Sequence, residues 1–181
     1  MKKILFTFII LLSINLSADD HIKPEQGAFT SLYVSASDVD KYVSFLRKNS
    51  DAFKAIGSSD AGVCITRSGN QYPGQMMIWN AFPSVEAAMI GSLKYDPYKA
   101  TGPISKLRNI KHSTIWKSLK SFRLEPGHEI VGRFKVKQEN INSFVKAMDS
   151  LEKEIQDNGH PDFFNGVFVS IAGGAESQIL K

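Results

Sequence analysis

The chain has 181 residues, 43% of them hydrophobic and 22% charged, which is the composition of a folding domain and excludes a disordered one. Its formal charge of +4 includes Lys2 and Lys3, and so weak a basic excess gives no case for nucleic acid as a partner. One cysteine, Cys64, excludes an internal disulfide.

Lys2 and Lys3 open the chain, an apolar run follows from Ile4 to Leu12, and Leu16, Ser17 and Ala18 precede Asp19, Asp20 and His21. A charged start, a short apolar stretch and a small residue before a polar one are the parts of a secretory signal peptide, expected to span residues 1–18. The apolar run is too short to anchor in a bilayer, which needs roughly 20 such residues. A periplasmic or secreted protein, free of the membrane once the leader is removed, is therefore expected. Cleavage after Ala18 exposes Asp19, Asp20 and His21 as a new terminus. Its α-amine, two amide nitrogens and third-position imidazole form a planar four-nitrogen set suited to copper(II) or nickel(II).

Ala28 to Ala36 reads as a strand, with Phe29, Leu32 and Val34 among small residues. Ser37 is placed to cap a helix carrying Asp38 and Asp40 in its first turn. Val39, Tyr42, Val43, Leu46 and Phe53 form its apolar face, and Gly57 ends it. Two β-rich runs, Gly62 to Arg67 and Gln75 to Phe82, flank a turn-rich loop. Cys64 lies in the first run and reads as a buried thiol. In the second, alternation sends Met77, Trp79 and Ala81 to one face and Met76, Ile78 and Asn80 to the other. Trp79 there fills a core or lines a cavity.

Pro83 and Ser84 start a second helix, Val85 to about Tyr95, and a strand from roughly Ser113 to Leu124 closes the unit. The order strand, helix, strand, strand, helix, strand is that of the ferredoxin-like unit. Between its last two elements, residues 96–103 interrupt the pattern, the kind of insertion that often carries function. Around it Lys94, Lys99, Lys106, Arg108, Lys111, Lys117, Lys120 and Arg123 face only Asp96, with Tyr95, Tyr98, Trp116 and Phe122 interleaved. This stretch is either a basic, aromatic-lined mouth for a small anion or a solvated face. Arg108 and His112, four apart, share a face if the segment is helical.

Glu125, Pro126 and Gly127 echo Glu25, Gln26 and Gly27 one hundred positions earlier, and the order begins again. Ile130 to Lys137 is expected as a strand, Gln138 to Asp157 as a helix with Ile141, Phe144, Val145, Met148 and Ile155 on one face, and Gly166 to Ala172 as the next strand. The chain then stops where a helix and a closing strand are still due, on the order of 40 residues short by the length of the first unit. The expected organisation is α+β: a signal peptide at 1–18, a first ferredoxin-like unit at 19–124, and a second, incomplete one at 125–181. The two units are expected to pack sheet to sheet, with oligomerisation covering the gap if the frame ends at Lys181.

This paired layout resembles the dimeric alpha-beta barrel superfamily, with its antibiotic-biosynthesis-monooxygenase-like and NIPSNAP-like members. The resemblance implies a cavity between two sheets and a range of activities that includes oxygenases and haem-handling enzymes. No phosphate loop, zinc helix, nucleophile elbow or calcium loop is present in the sequence, so no catalytic residue and no cofactor is assigned. The leading expectation is a domain binding a small anionic or aromatic molecule through Tyr95, Tyr98, Arg108, His112, Trp116 and Trp79. A cofactor-independent or haem-related monooxygenase-like enzyme is the alternative, and a subunit of a larger assembly is the third.

Overall fold

The structure is a computed structural model that describes residues 27–121 and 126–173. The leader at 1–18, the Asp19, Asp20, His21 terminus and the end of the chain lie outside the described residues. Ten elements follow in order: β1 (Ala28–Ala36), α1 (Val39–Lys48), α2 (Asp51–Ala55), β2 (Asp60–Ile65), β3 (Gln75–Phe82), α3 (Val85–Lys94), α4 (Pro103–Leu107), β4 (Arg108–Ser118), α5 (Ile141–Asp157) and β5 (Phe168–Gly173). Short 3-10 turns at Pro97–Lys99 and Gln138–Asn140 precede α4 and α5.

The strands form one five-stranded sheet in the order β2, β3, β1, β4, β5, with every neighbouring pair antiparallel. The first four strands, with α1 and α3 in the crossovers, have the order and pairing of a ferredoxin-like α+β fold.

Alternation along β1 divides the sheet into two faces. Leu32, Val34 and Ala36 pack with Met76 and Ile78 of β3 and with Tyr42 and Leu46 of α1. Ala28, Phe82 and Ala88 form a second cluster under α3. Complete burial of an apolar side chain such as Met76, at 0% exposure, contributes roughly 1.5–3 kcal/mol. Gly91 lets α3 approach closely, since a Cβ there would stand 2.7 Å from the Phe82 ring.

Local chemistry explains most element ends. Asp38, rather than Ser37, caps α1 by accepting from the Lys41 amide at 2.9 Å. The helix also stops earlier than its apolar pattern suggests. Asn49 turns back to donate its side-chain amide to the Phe45 carbonyl, and α2 begins after it. Ser84 caps α3 as its sequence indicates, accepting from the Ala87 amide.

Three expectations are corrected. β4 starts at Arg108 and not at Ser113, because Arg108, Asn109 and Ile110 pair with Ala36, Ser35 and Val34 of β1. Residues 130–137 form no strand despite their alternation. And β5, from the second repeat, does not open a second sheet among the described residues: it adds to the β4 edge of the first. A separate ion-pair cluster ties α5 to this edge. Lys120, 8% exposed, donates to Glu152 at 2.7 Å and to the Asn165 carbonyl at 2.9 Å, with Asp149 at 3.4 Å.

Candidate functional site

The insertion folds into a shelf beside the start of β4. Asp96 accepts from the Tyr98 amide at 3.0 Å and pairs with Lys99 at 3.3 Å, which shapes the first turn. Gly102, at φ 78°, permits the reversal into α4. Leu107 at the end of α4 is buried in the main core, and its carbonyl accepts from the Ser37 amide. The shelf is thus anchored at its carboxyl end, where the chain enters β4 at Arg108.

Between shelf and strand lies a cleft of about 280 Å³ lined by Pro97, Tyr98, Ala100, Ser105, Arg108, Asn109 and Ile110. Its cation is fixed from two sides: Arg108 donates one terminal nitrogen to Tyr42 Oη at 2.7 Å and the other to Tyr95 Oη at 2.6 Å. The guanidinium also stands 5.9 Å from the centre of the Tyr42 ring. Among the described residues no carboxylate pairs with Arg108; Asp96 of the shelf pairs with Lys99. Burial pushes the Tyr42 phenol up from its ordinary range, with Arg108 opposing, so this partner is neutral at physiological pH. A guanidinium has five N–H donors, so this one keeps donors for an incoming anion.

Tyr95, Tyr98 and Arg108 therefore come together as the sequence indicates, whereas His112, Trp116 and Trp79 lie across the sheet. The cause is a β-bulge. Ile110 pairs with Val34 and His112 with Tyr33, which leaves Lys111 as an extra residue and reverses the facing of the strand on either side of it. Tyr42 was legible only as a member of an apolar stripe, although a hydroxyl in a helix core face needs a partner.

On the opposite face His112 stacks on Tyr33 at 4.5 Å, and Arg133 stands over the other partner's ring, 5.2 Å from the Tyr33 centroid. Burial, then the Arg133 charge, lowers the His112 pKa below its ordinary value. Trp116 donates its indole N–H to the fully buried Ser31 hydroxyl at 2.8 Å and stacks on Phe29. Trp79 lies over Gly62, where a Cβ would meet the indole at 2.5 Å. Both tryptophans are packed and hydrogen-bonded parts of this face. Cys64, half-buried, faces the same way; burial, reinforced by Glu129, pushes its thiol up to about 12, which favours the protonated form.

No group of three or more His, Cys, Asp or Glu side chains among the described residues is placed to hold a metal ion. None of the helices among the described residues is long and apolar enough to cross a membrane. Fold and cleft together define an α+β domain with an arginine-floored surface cleft. No protein-family model matches the chain, and no curated protein matches it in sequence.

Proposed function

We propose that this chain is an exported protein that binds a small molecule through an anionic head group, with Arg108 as the anchor and Tyr95 and Tyr98 as flanking contacts. One observation carries the reading: a guanidinium oriented by two phenol hydroxyls, with no carboxylate partner among the described residues, at a cleft of about 280 Å³. Such a group presents a charged fork whose geometry suits a carboxylate or phosphate. The cleft's apolar lining, Pro97, Ala100 and Ile110, suits a compact organic body attached to that head.

Export rests on the leader-like start, and the superfamily resemblance on the repeated element order. The ferredoxin-like topology supports that resemblance at the level of fold class. Calorimetric titration with acetate, benzoate, phosphate and phenyl phosphate tests the site. Arg108→Gln is expected to weaken the best ligand at least about tenfold, the scale of one charge-assisted hydrogen bond. His112→Ala is expected to leave it unchanged. Equal binding by wild type and Arg108→Gln would remove the cleft from the function.

A second reading, the monooxygenase-like enzyme, is favoured by one observation: His112, its pKa lowered, presents a neutral imidazole on an aromatic-rich face. Oxygen uptake on a panel of quinols, lost in His112→Ala, would establish it; a flat response from wild type would dismiss it.

A further inference from the structure

Residues 128–137 have the side-chain pattern of a strand but have no strand partner among the described residues. Ile130, Phe134 and Val136 fall at even positions, and Glu129, Val131, Arg133 and Lys135 at odd ones. Among the described residues no backbone hydrogen bond engages residues 126–136, and the first in this region is from the Asn140 amide to the Lys137 carbonyl. Ile130 is 101% exposed, Val131 62% and Phe134 66%. Among the described residues the segment is held by side-chain contacts. Cys64 donates to Glu129 Oε2 at 3.4 Å, Arg133 covers Tyr33, and Phe134 lies 5.4 Å from Phe144.

Unpaired amide groups in a sequence of β-forming residues are a template for another strand. Which strand is indicated by the segment itself. Laid antiparallel against a copy of itself about Gly132, it places Glu129 opposite Lys135 and Ile130 opposite Phe134, and a two-fold axis repeats each pair. Opposite charges and apolar side chains directly across a ladder are the stabilising cross-strand pairs. A slip of one residue puts Glu129 opposite Phe134 or Val136 instead. Parallel, in-register pairing opposes Arg133, Lys135 and Lys137 to themselves.

We propose that a second copy of this chain docks on residues 129–135, forming an antiparallel two-stranded ribbon with its two-fold axis at Gly132. Glu129 meets Cys64 through Oε2, which leaves its other oxygen for Lys135 of the second copy. The inference is independent of the Arg108 cleft.

Sedimentation velocity on the full chain is expected to show a dimer. Lys135→Glu, which sets two acids face to face, is expected to weaken association at least about tenfold, and Glu129→Lys likewise. The double variant Glu129→Lys/Lys135→Glu restores opposite charges and is expected to recover the dimer, an outcome that a loss of folding in either single variant would not produce. Gly132→Cys in a Cys64→Ser background is expected to form a disulfide across the axis under mild oxidation. A Cβ at Gly132 would approach the Phe134 ring at 2.8 Å, and this mostly exposed ring must turn slightly to admit it. A monomeric wild type, or a dimer indifferent to Lys135→Glu and unlinked by Gly132→Cys, would overturn the proposal.

Discussion

Arg108 and His112 lie four residues apart on one strand and face opposite sides of the sheet. The residue responsible is Lys111, which has no partner on β1 and gives the strand an extra half-step. The bulge therefore decides that Arg108 meets Tyr42 and Tyr95, while His112 meets Tyr33.

Because the backbone of Lys111 does this, its side chain contributes only an exposed contact, with Nζ 4.9 Å from the centre of the Tyr72 ring. Lys111→Ala is expected to cost no more than about 1 kcal/mol, the scale of an exposed cation–π pair. Deleting the residue forces Arg108 and Ile110 to exchange faces with Asn109, with a cost of at least about 2 kcal/mol. Urea unfolding of the two variants separates these outcomes.

His112 is expected to give the fold a pH dependence whose sign follows from its burial and the Arg133 charge. Its folded pKa is lowered, by burial and by Arg133, so the unfolded chain binds more protons as pH falls through the ordinary histidine range. Stability is expected to decline as pH drops below about 6.5, the unfolded value, and to stop declining below the folded value. His112→Gln is expected to flatten this part of the profile in thermal melts, and Arg133→Gln to raise the imidazole pKa followed by NMR.

Lys120 is the most buried charge described, and its carboxylate partners come from α5. Glu152→Ala is expected to cost about 3 kcal/mol, the low end for breaking a buried pair, since Asp149 keeps a second carboxylate in place. Protection of the α5 amides from hydrogen exchange is expected to fall before that of β1, because few other contacts hold α5 to the sheet.

The amino-terminal chelate is tested on the mature protein. If cleavage falls after Ala18, one equivalent of copper(II) is expected to give a violet band, absent in His21→Ala. A terminus other than Asp19, or the same band in His21→Ala, would refute it.

Two strands were legible to the residue, Ala28–Ala36 and Gln75–Phe82, whereas β2 and β5 lie up to two residues from the runs Gly62 to Arg67 and Gly166 to Ala172 that the sequence indicates. Ser84 was legible as a cap, because its hydroxyl acts locally. What was not legible depends on distant pairing. Nothing in the run from Arg108 to Ile110 announces a strand until β1 lies beside it, and a one-residue bulge leaves no mark in residue type. Ile130 to Lys137 has the pattern of a strand, yet a ladder also needs a second backbone, which the described residues do not supply. Tyr95, Tyr98 and Arg108 were singled out by a basic, aromatic stretch around an insertion, and His112 was grouped with Arg108 by a spacing that holds only on a helix.

The central strand of the sheet is the first to be synthesised. β1 pairs on one side with β3 and on the other with β4, which ends at Ser118. At ribosomal rates of roughly 5–20 residues per second, β1 waits about 4–16 s between its own completion at Ala36 and that of β4. Throughout that interval at least one edge of an apolar strand is open, for longer than in a sheet built from successive hairpins.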